Sequence, residues 1–263
     1  MNAIEFQNIK KTYGDKTIIG SFSLAIGRGE FVTIIGTSGS GKTTLVKMVN
    51  RLVVPDSGTV WINGEDIQDK DPVLLRRGIG YAIQGSVLFP HMTVEENIAY
   101  VPNLWNKSDK KRTASAVSKW MKIAGLADEL RQQYPYELSG GEQQRVGIAR
   151  ALAASPPILL MDEPFGAVDE ITRKQLQKEL KDIYEQTGIT VLFITHDISE
   201  ALALGTKVLV LDKGALQQYD TPDNILNHPA NAFVAQLVGD RKGSEKNRDC
   251  NDDLTAKQRS TLK

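Results

Sequence analysis

The stretch GTSGSGKT, residues 36–43, fits the pattern GxxxxGK[ST], and its residue types suit phosphate chemistry. Gly36, Gly39 and Gly41 let backbone N–H groups converge on phosphate oxygens, and a following helix adds the positive end of its dipole. Lys42 would reach the β and γ phosphates, and the Thr43 hydroxyl would hold Mg²⁺. An ordinary glycine-rich turn would account for the glycines alone. It leaves unexplained the apolar run EFVTIIG just before and the helix-like TLVKMVNRL just after, which are the flanks such a loop needs.

Other side chains gain meaning beside that loop. In ILLMDEP, Asp162 and Glu163 are adjacent carboxylates ending an apolar run. Alone they read as helix caps. With a phosphate loop nearby, Asp162 suits the Mg²⁺ shell and Glu163 could polarise an attacking water as general base. His196 follows ITVLFIT, where a structural histidine is the ordinary reading and a place beside a γ phosphate the functional one. Gln84, in GIGYAIQG, could ligate Mg²⁺ or orient water. Tyr13, before the glycine of KKTYGDK, could stack on an adenine ring, although aromatics beside turns more often pack locally.

LSGGEQQRV, residues 138–146, poses a different problem. Ser139 followed three residues later by Glu142 is a capping box and would cap the helix that follows whatever its function. Gly140 and Gly141 weaken a helix start by roughly 1 kcal/mol each relative to alanine. Two glycines there make sense where a ligand must approach the backbone.

These residues need a frame. EFVTIIG (30–36), PILLMDEP (157–164) and ITVLFITHD (189–197) read as strands buried on both faces, as in a parallel sheet. Each precedes helical periodicity, over Lys42 to Leu52, Ile171 to Tyr184 and Ile198 to Leu204, so the fold is predicted to be α/β. Ligands of such sheets sit beyond the carboxyl ends of the strands, which should bring the loop, the carboxylates and His196 together. Antiparallel strands are expected in IEFQNIKKTYG, FSLAIGRG and GTVWINGED. A helical subdomain is expected over about 95–153, inserted between the first and second core strands, with one domain spanning 1–240. After Gly214, turn signals surround short helical stretches. Residues 241–263 lack apolar periodicity and are expected to be a disordered tail.

Composition narrows the partners. The 263 residues suffice for one large domain. Lys plus Arg (32) balance Asp plus Glu (32), so no polyanion-attracting field arises and nucleic acid is not an expected partner. The single cysteine, Cys250, points to a reducing, cytoplasmic setting. No apolar run approaches the roughly 18 residues of a membrane span.

The ordered set Tyr13, GTSGSGKT, Gln84, LSGGEQQR, ILLMDEP, Asp169 and Thr195-His196 resembles the ATP-binding subunit of ABC transporters over about residues 3–240. The resemblance implies a P-loop NTPase core with an N-terminal antiparallel β subdomain. It also implies a head-to-tail dimer in which the signature of one subunit covers the ATP of the other. The roles it implies are Tyr13 on adenine, and Gly36, Thr37, Ser38, Gly39, Ser40, Gly41, Lys42, Thr43 and Thr44 on phosphates and Mg²⁺. Gln84 would couple the Mg²⁺ site to a membrane subunit, and Ser139, Gly140 and Gly141 would act across the dimer. Asp162 would serve Mg²⁺, Glu163 the water, Asp169 the dimer contact and His196 the γ phosphate.

KMVNRLVVPDSG, LLRRGIGYAIQGSVLFPHMTVEENIAYVPNLW and MDEPFGAVDEITRKQLQKEL are similar to the importer subgroup for glycine betaine, choline and carnitine. Implied partners are a second copy, transmembrane permease subunits and, through them, an extracytoplasmic substrate-binding protein, at the cytoplasmic face of the membrane. Val168 stands where that family usually has leucine, and a short polar tail stands where many relatives carry tandem CBS domains. An importer for another small solute, such as an amino acid, is the alternative. Phe89, Pro90 and Met92 are expected to form an apolar patch that receives a helix of the membrane subunit. Trp61, Trp105 and Trp120 are expected to be packing residues. NKSD (106–109) matches a guanine-reading pattern but lacks the apolar strand that would place it. DNA-repair relatives would need a long coiled coil in the interval from Thr43 to Ser139, which is too short. Translation-associated relatives would need a second cassette.

Overall fold

A computed structural model describes residues 1–82, 88–106, 109–166 and 169–239. The chain opens with β1 (Asn2–Tyr13) and β2 (Lys16–Gly27), an antiparallel hairpin, and then enters the core with β3 (Phe31–Gly36) and α1 (Lys42–Val49). Next come β4 (Ser57–Ile62), β5 (Glu65–Asp66), α2 (Pro72–Arg77) and β6 (Ile79–Ala82). A helical run follows, with α3 (Val94–Asn106), α4 (Lys110–Ile123) and α5 (Gly140–Leu152). The rest alternates as β7 (Ile158–Asp162), α6 (Glu170–Thr187), β8 (Thr190–Ile194), α7 (Ile198–Leu204), β9 (Lys207–Asp212), β10 (Ala215–Asp220) and α8 (Pro222–Asn227), with a last helix over 232–239.

Two sheets result. β2, β1, β4 and β5 form the expected antiparallel sheet, and the core sheet runs β10-β9-β3-β8-β7-β6. All neighbours from β9 to β6 are parallel, and only β10 runs against its neighbour. The continuous apolar runs of β7 and β8 follow from burial on both faces. Leu160, Leu192 and Ile194 pack with Val32, Ile34 and the antiparallel sheet's Phe6 and Phe22. The alternate residues Leu159, Met161, Val191 and Phe193 pack with the helical side, including Trp120, Val146 and Leu176. Each such side chain contributes roughly 1.5–3 kcal/mol by leaving water.

Three features differ from or add to the expected elements. The core sheet also holds β6, which leads into the helical run lying between β3 and β7. Between α7 and the turn signals past Gly214 lie β9 and β10. β10 reads ALQQYD and none of its residues is buried, so no apolar periodicity marks it. The third feature corrects the expectation for Trp105, which is 49% exposed with the Arg77 guanidinium 5.9 Å from its ring. Trp120 is buried as expected, and Trp61 is part-buried with its indole N–H donated to Thr59.

Candidate functional site

The parallel register delivers the convergence that strand ends demand. Ile34 lies opposite Ile194, and Ile194 lies opposite Asp162, so the loops after β3, β7 and β8 leave the sheet at one level. Across 119 residues of sequence, Thr43 Oγ1 then comes 3.2 Å from Asp162 Oδ1. His196 Nδ1 lies 3.5 Å from Glu163 Oε2.

The loop after β3 is held open by backbone conformations that side chains resist. Gly36, Gly39 and Gly41 take φ of 148°, 75° and 99°. A Cβ on Gly36 would fall 1.9 Å from the Leu211 carbonyl oxygen, so this position is sterically closed to any other residue. Lys42 Nζ donates to the carbonyls of Gly36 (2.9 Å) and Thr37 (3.0 Å), which folds the lysine back over the loop. The Thr37 hydroxyl donates to Asp212 on β9, and the Gly214 N–H donates to the Ser40 carbonyl. Neither tie was legible in the sequence, because β9 was not.

Phosphate fits this loop for a specific reason. α2, α4, α5, α6, α7 and α8 each begin on an Asp, Ser or Thr whose side chain accepts a backbone N–H, and Thr93 does the same for α3. α1 begins on Gly41 with no side-chain cap and no acidic residue in its first turn. Its first N–H groups are therefore left for an outside anion. Ser40 adds a buried hydroxyl with no partner among the described residues.

The electrostatics suit a site that takes both a cation and an anion. Burial pushes the Asp162 carboxyl above its ordinary value against the pull of the Thr43 hydrogen bond, and neighbouring Glu163 pushes the same way. Burial lowers the Lys42 ammonium, while Glu163 and Asp162 hold it up. A hydroxyl and a carboxylate at 3.2 Å are the hard oxygen donors that Mg²⁺ takes, with most of its shell left to phosphate and water. No cluster of three or more His, Cys, Asp or Glu suited to a metal occurs among the described residues, so a metal dependent on phosphate oxygens suits the donor set better than a protein cage.

Glu163 sits at φ 47°, a left-handed conformation costing a non-glycine residue roughly 1–3 kcal/mol. Its N–H donates to Ile194 and its carbonyl accepts from Gly166, which hold the turn in place. Tyr13 ends β1, is 50% exposed and carries Lys11 Nζ 5.3 Å from its ring. The same hairpin touches the phosphate loop, since a Cβ on Gly41 would lie 3.3 Å from the Ile18 carbonyl oxygen. Thr44 lies in the first turn of α1. Ser38 lies in the loop, exposed. Gln84 and Val168 fall outside the described residues, as do Lys107 and Ser108 of NKSD.

Ser139, Gly140 and Gly141 stand elsewhere. They line an open groove of 880 Å³ with Asp169, Ile171 and Pro164, and no residue of the phosphate loop lines it. The capping box is formed: Glu142 accepts the Ser139 N–H at 2.8 Å and its hydroxyl at 2.7 Å. That leaves the N–H groups of Gly140 and Gly141, first in the helix, without a side-chain acceptor. Asp169 caps α6 through the Thr172 N–H, and the Thr172 hydroxyl bond lowers its pKa most. The start of α5 thus differs from that of α1, being capped and carrying an acid in its first turn, and it lines a separate groove.

Phe89 is part-buried: its ring lies 4.8 Å from that of Tyr100, with the Arg150 guanidinium 5.2 Å from its centroid, while Pro90 beside it is exposed and Met92 part-buried. A further apolar surface lies nearby, in a 360 Å³ groove between α2 and α3 that includes Val73, Tyr81, Val101, Leu104 and the same Arg150. Its signal in the sequence is the apolar pair Val73 and Leu74, consecutive after the helix-starting Asp71-Pro72 and therefore not both able to face the core; both are exposed.

Residues 19–166 match the family model for ABC transporters. The carnitine transport ATP-binding protein OpuCA of Listeria monocytogenes is 48% identical over 237 residues, covering 90% of this chain and 59% of that protein. The glycine betaine uptake system ATP-binding protein YehX of Escherichia coli is 47% identical over 236 residues, covering 90% and 76%. Against most of the leading relatives the chain thus spans about three fifths of their length, 59% and 62% for OpuCA and for the choline transport protein OpuBA of Bacillus subtilis. Among solved structures, a dimeric post-hydrolysis state of the ATP-binding cassette MJ0796 with ADP and Pi superposes with a TM-score of 0.74 at 33% identity, covering 83% of this chain and 98% of that one. The chain belongs to the ABC transporter family.

Proposed function

We propose that this chain is the ATP-hydrolysing subunit of an importer for a quaternary ammonium osmoprotectant such as glycine betaine, choline or carnitine. The observation that carries the hydrolytic part is the uncapped start of α1 beside the Thr43–Asp162 pair. The solute class rests on the 47–48% identity to carnitine and glycine betaine transport ATPases.

The roles are those the resemblance implies, and the Thr43–Asp162 contact supports them. Gly36 to Thr44 receive the phosphates, Tyr13 the adenine, and Thr43, Asp162 and Gln84 the Mg²⁺. Bound Mg²⁺ would neutralise charge developing on the phosphate oxygens. Glu163 takes a proton from the attacking water, and His196, within 3.5 Å of it, steadies the γ phosphate end of the site. Ser139, Gly140, Gly141 and Asp169 act on the ATP of a second copy, which the separation of their groove from the phosphate loop supports. The groove between α2 and α3 receives a cytoplasmic segment of the permease. No helix among the described residues is long and apolar enough to cross a membrane, so the chain would sit peripherally on its permease at the cytoplasmic face. An extracytoplasmic binding protein would deliver the solute.

Uptake of labelled glycine betaine, choline and carnitine by cells expressing this chain with its neighbouring permease genes tests the reading. Uptake of one of them, abolished by Glu163→Gln, is expected. Mg²⁺-dependent ATP hydrolysis with uptake of none of the three would retain the ATPase and overturn the solute.

A further inference from the structure

Tyr13 ends β1 at the tip of its hairpin, and the strand pairing beneath it is irregular. Lys11 lies opposite Ile19 but Thr12 lies opposite Thr17, so Ile18 is left over as a bulge. The Ile18 carbonyl oxygen is the atom that a Cβ on Gly41 would meet at 3.3 Å and one on Gly214 at 1.9 Å. The bulge therefore seats the hairpin tip against the phosphate loop. What remains to be set is the direction of the Tyr13 ring, which is half exposed.

That direction is set from a third segment. Asp56, in the link between α1 and β4, uses both carboxylate oxygens: Oδ1 accepts Lys11 Nζ at 2.7 Å, and Oδ2 accepts the Thr12 N–H at 2.7 Å. The Asp56 N–H donates in turn to the Lys10 carbonyl at 2.8 Å. Three consecutive residues ahead of Tyr13 are thus tied to one. The Lys11 bond first, and then the Thr12 N–H, hold the Asp56 carboxyl below its ordinary value. So held, the Lys11 ammonium stands over the Tyr13 ring, 5.3 Å from its centroid.

An ordinary surface ion pair explains less than this. With Asp56 42% exposed the pair adds little to stability, yet only 16% of the Lys11 side chain is exposed. A cation over one face of a phenol ring is attracted by the ring's quadrupole and occupies that face. It also draws π density from the opposite face, which makes that face a better platform for an electron-rich purine.

We propose that Lys11, held by Asp56, is a positioning residue for Tyr13: its ammonium closes one face of the ring and leaves the other to stack on the base of the bound nucleotide. This rests on the adenine reading of Tyr13 and adds what orients the ring. Because the ammonium serves the ring and Asp56 rather than the phosphates, its loss is felt by a ligand that carries a base and not by one that lacks it.

The test uses the full chain with Mg²⁺-ATP as substrate and inorganic tripolyphosphate as a competitor without a base. Lys11→Met is expected to raise KM for ATP about fivefold, the lower end of what one base–aromatic stack provides, with kcat within about twofold and inhibition by tripolyphosphate unchanged. Asp56→Ala, which frees the same ammonium, should match it, and Lys11→Arg, which keeps a cation for ring and carboxylate, should not. In a Tyr13→Ala background Lys11→Met should raise KM no further, because its effect runs through the ring. An unchanged KM in both Lys11→Met and Asp56→Ala would overturn the proposal, as would multiplicative losses with Tyr13→Ala. Equal weakening of tripolyphosphate would overturn it too, by placing the effect of Lys11 on the phosphates. If Tyr13→Ala itself leaves KM for ATP unchanged, the adenine reading falls and the proposal with it. If Tyr13→Ala raises KM and Lys11→Met does not, only the proposal falls.

Discussion

A Cβ on Gly141 would lie 2.8 Å from Cγ2 of Thr172, closer than real side-chain carbons approach. Gly140, its neighbour, meets nothing within 4 Å. The two glycines of the signature stretch therefore answer different demands. Gly141 lets α5 pack against the first turn of α6, and only Gly140 is small with no internal reason. Their separation refines the expectation that both glycines serve an approaching ligand.

Gly140→Ala should fold as well as the parent or better, because alanine gains roughly 1 kcal/mol over glycine inside a helix. Its cost should fall on ATP-driven self-association, measured by light scattering with ATP. Gly141→Ala should lose about 1–2 kcal/mol to overpacking, read by urea denaturation, and Thr172→Ser should restore it by removing the methyl while leaving the backbone N–H bond to Asp169 in place. Equal behaviour of the two alanine variants would show the distinction to be wrong.

Gly36 allows less latitude. Its φ of 148° and the 1.9 Å clash of any Cβ with the Leu211 carbonyl leave no relaxed arrangement, because both partners are backbone of paired core strands. Gly36→Ala is expected to destabilise the protein by roughly 3 kcal/mol and to abolish nucleotide binding, measured by thermal melting with and without ATP. Retained ligand-induced stabilisation would contradict this.

Tyr81, on β6 beside the groove between α2 and α3, buries a hydroxyl with no partner among the described residues. Burial first, and then the charge of Asp162, pushes its pKa from 10.0 up to about 12. The folded state thus keeps the phenol protonated where the unfolded chain has released it. The stability this provides is complete below pH 10 and is lost as pH rises toward 12. Tyr81→Phe should remove that alkaline decline and, by deleting an unsatisfied group, raise stability near neutral pH by roughly 1 kcal/mol. Urea titrations at pH 8 and at alkaline pH read both effects.

What the sequence disclosed depended on how local each feature is. β7 and β8 were readable because burial on both faces leaves nothing but apolar residues, and the loop Gly36–Thr43 was readable because phosphate binding by backbone needs its glycines within a few positions. β10 was not, since a half-exposed edge strand reading ALQQYD has no periodicity to notice. The Thr43–Asp162 contact could be anticipated in kind, because Thr43 follows the loop after one apolar strand and Asp162 ends another, but its distance required the parallel register. The Gly141–Thr172 approach and the Gln177–Glu200 hydrogen bond could not, because each joins two elements whose relative placement no spacing encodes. The contacts of Phe89 with Tyr100 and Arg150 were hidden for the same reason, since both come from helices whose placement its local setting does not encode.

Glu163→Gln separates binding from hydrolysis. The substitution keeps the side-chain volume, and the strained turn depends on backbone bonds to Ile194 and Gly166 that the amide leaves alone. Lys42, the uncapped start of α1 and the Thr43–Asp162 pair are likewise untouched, so ATP should still bind. What is lost is the carboxylate that can accept a proton, and kcat should fall by about 10²-fold or more. Since no residue of the chain's own phosphate loop lines the groove holding Ser139, Gly140, Gly141 and Asp169, the proposed function expects neither anion site to complete an active site alone. Two chains, each offering a loop to the other's groove, would bury ATP that they cannot cleave. Size-exclusion chromatography of Glu163→Gln with Mg²⁺-ATP should therefore show a stable dimer that returns to monomer on exchange into ADP. A variant that binds ATP yet stays monomeric would mean that the second helix start serves something other than a partner's nucleotide.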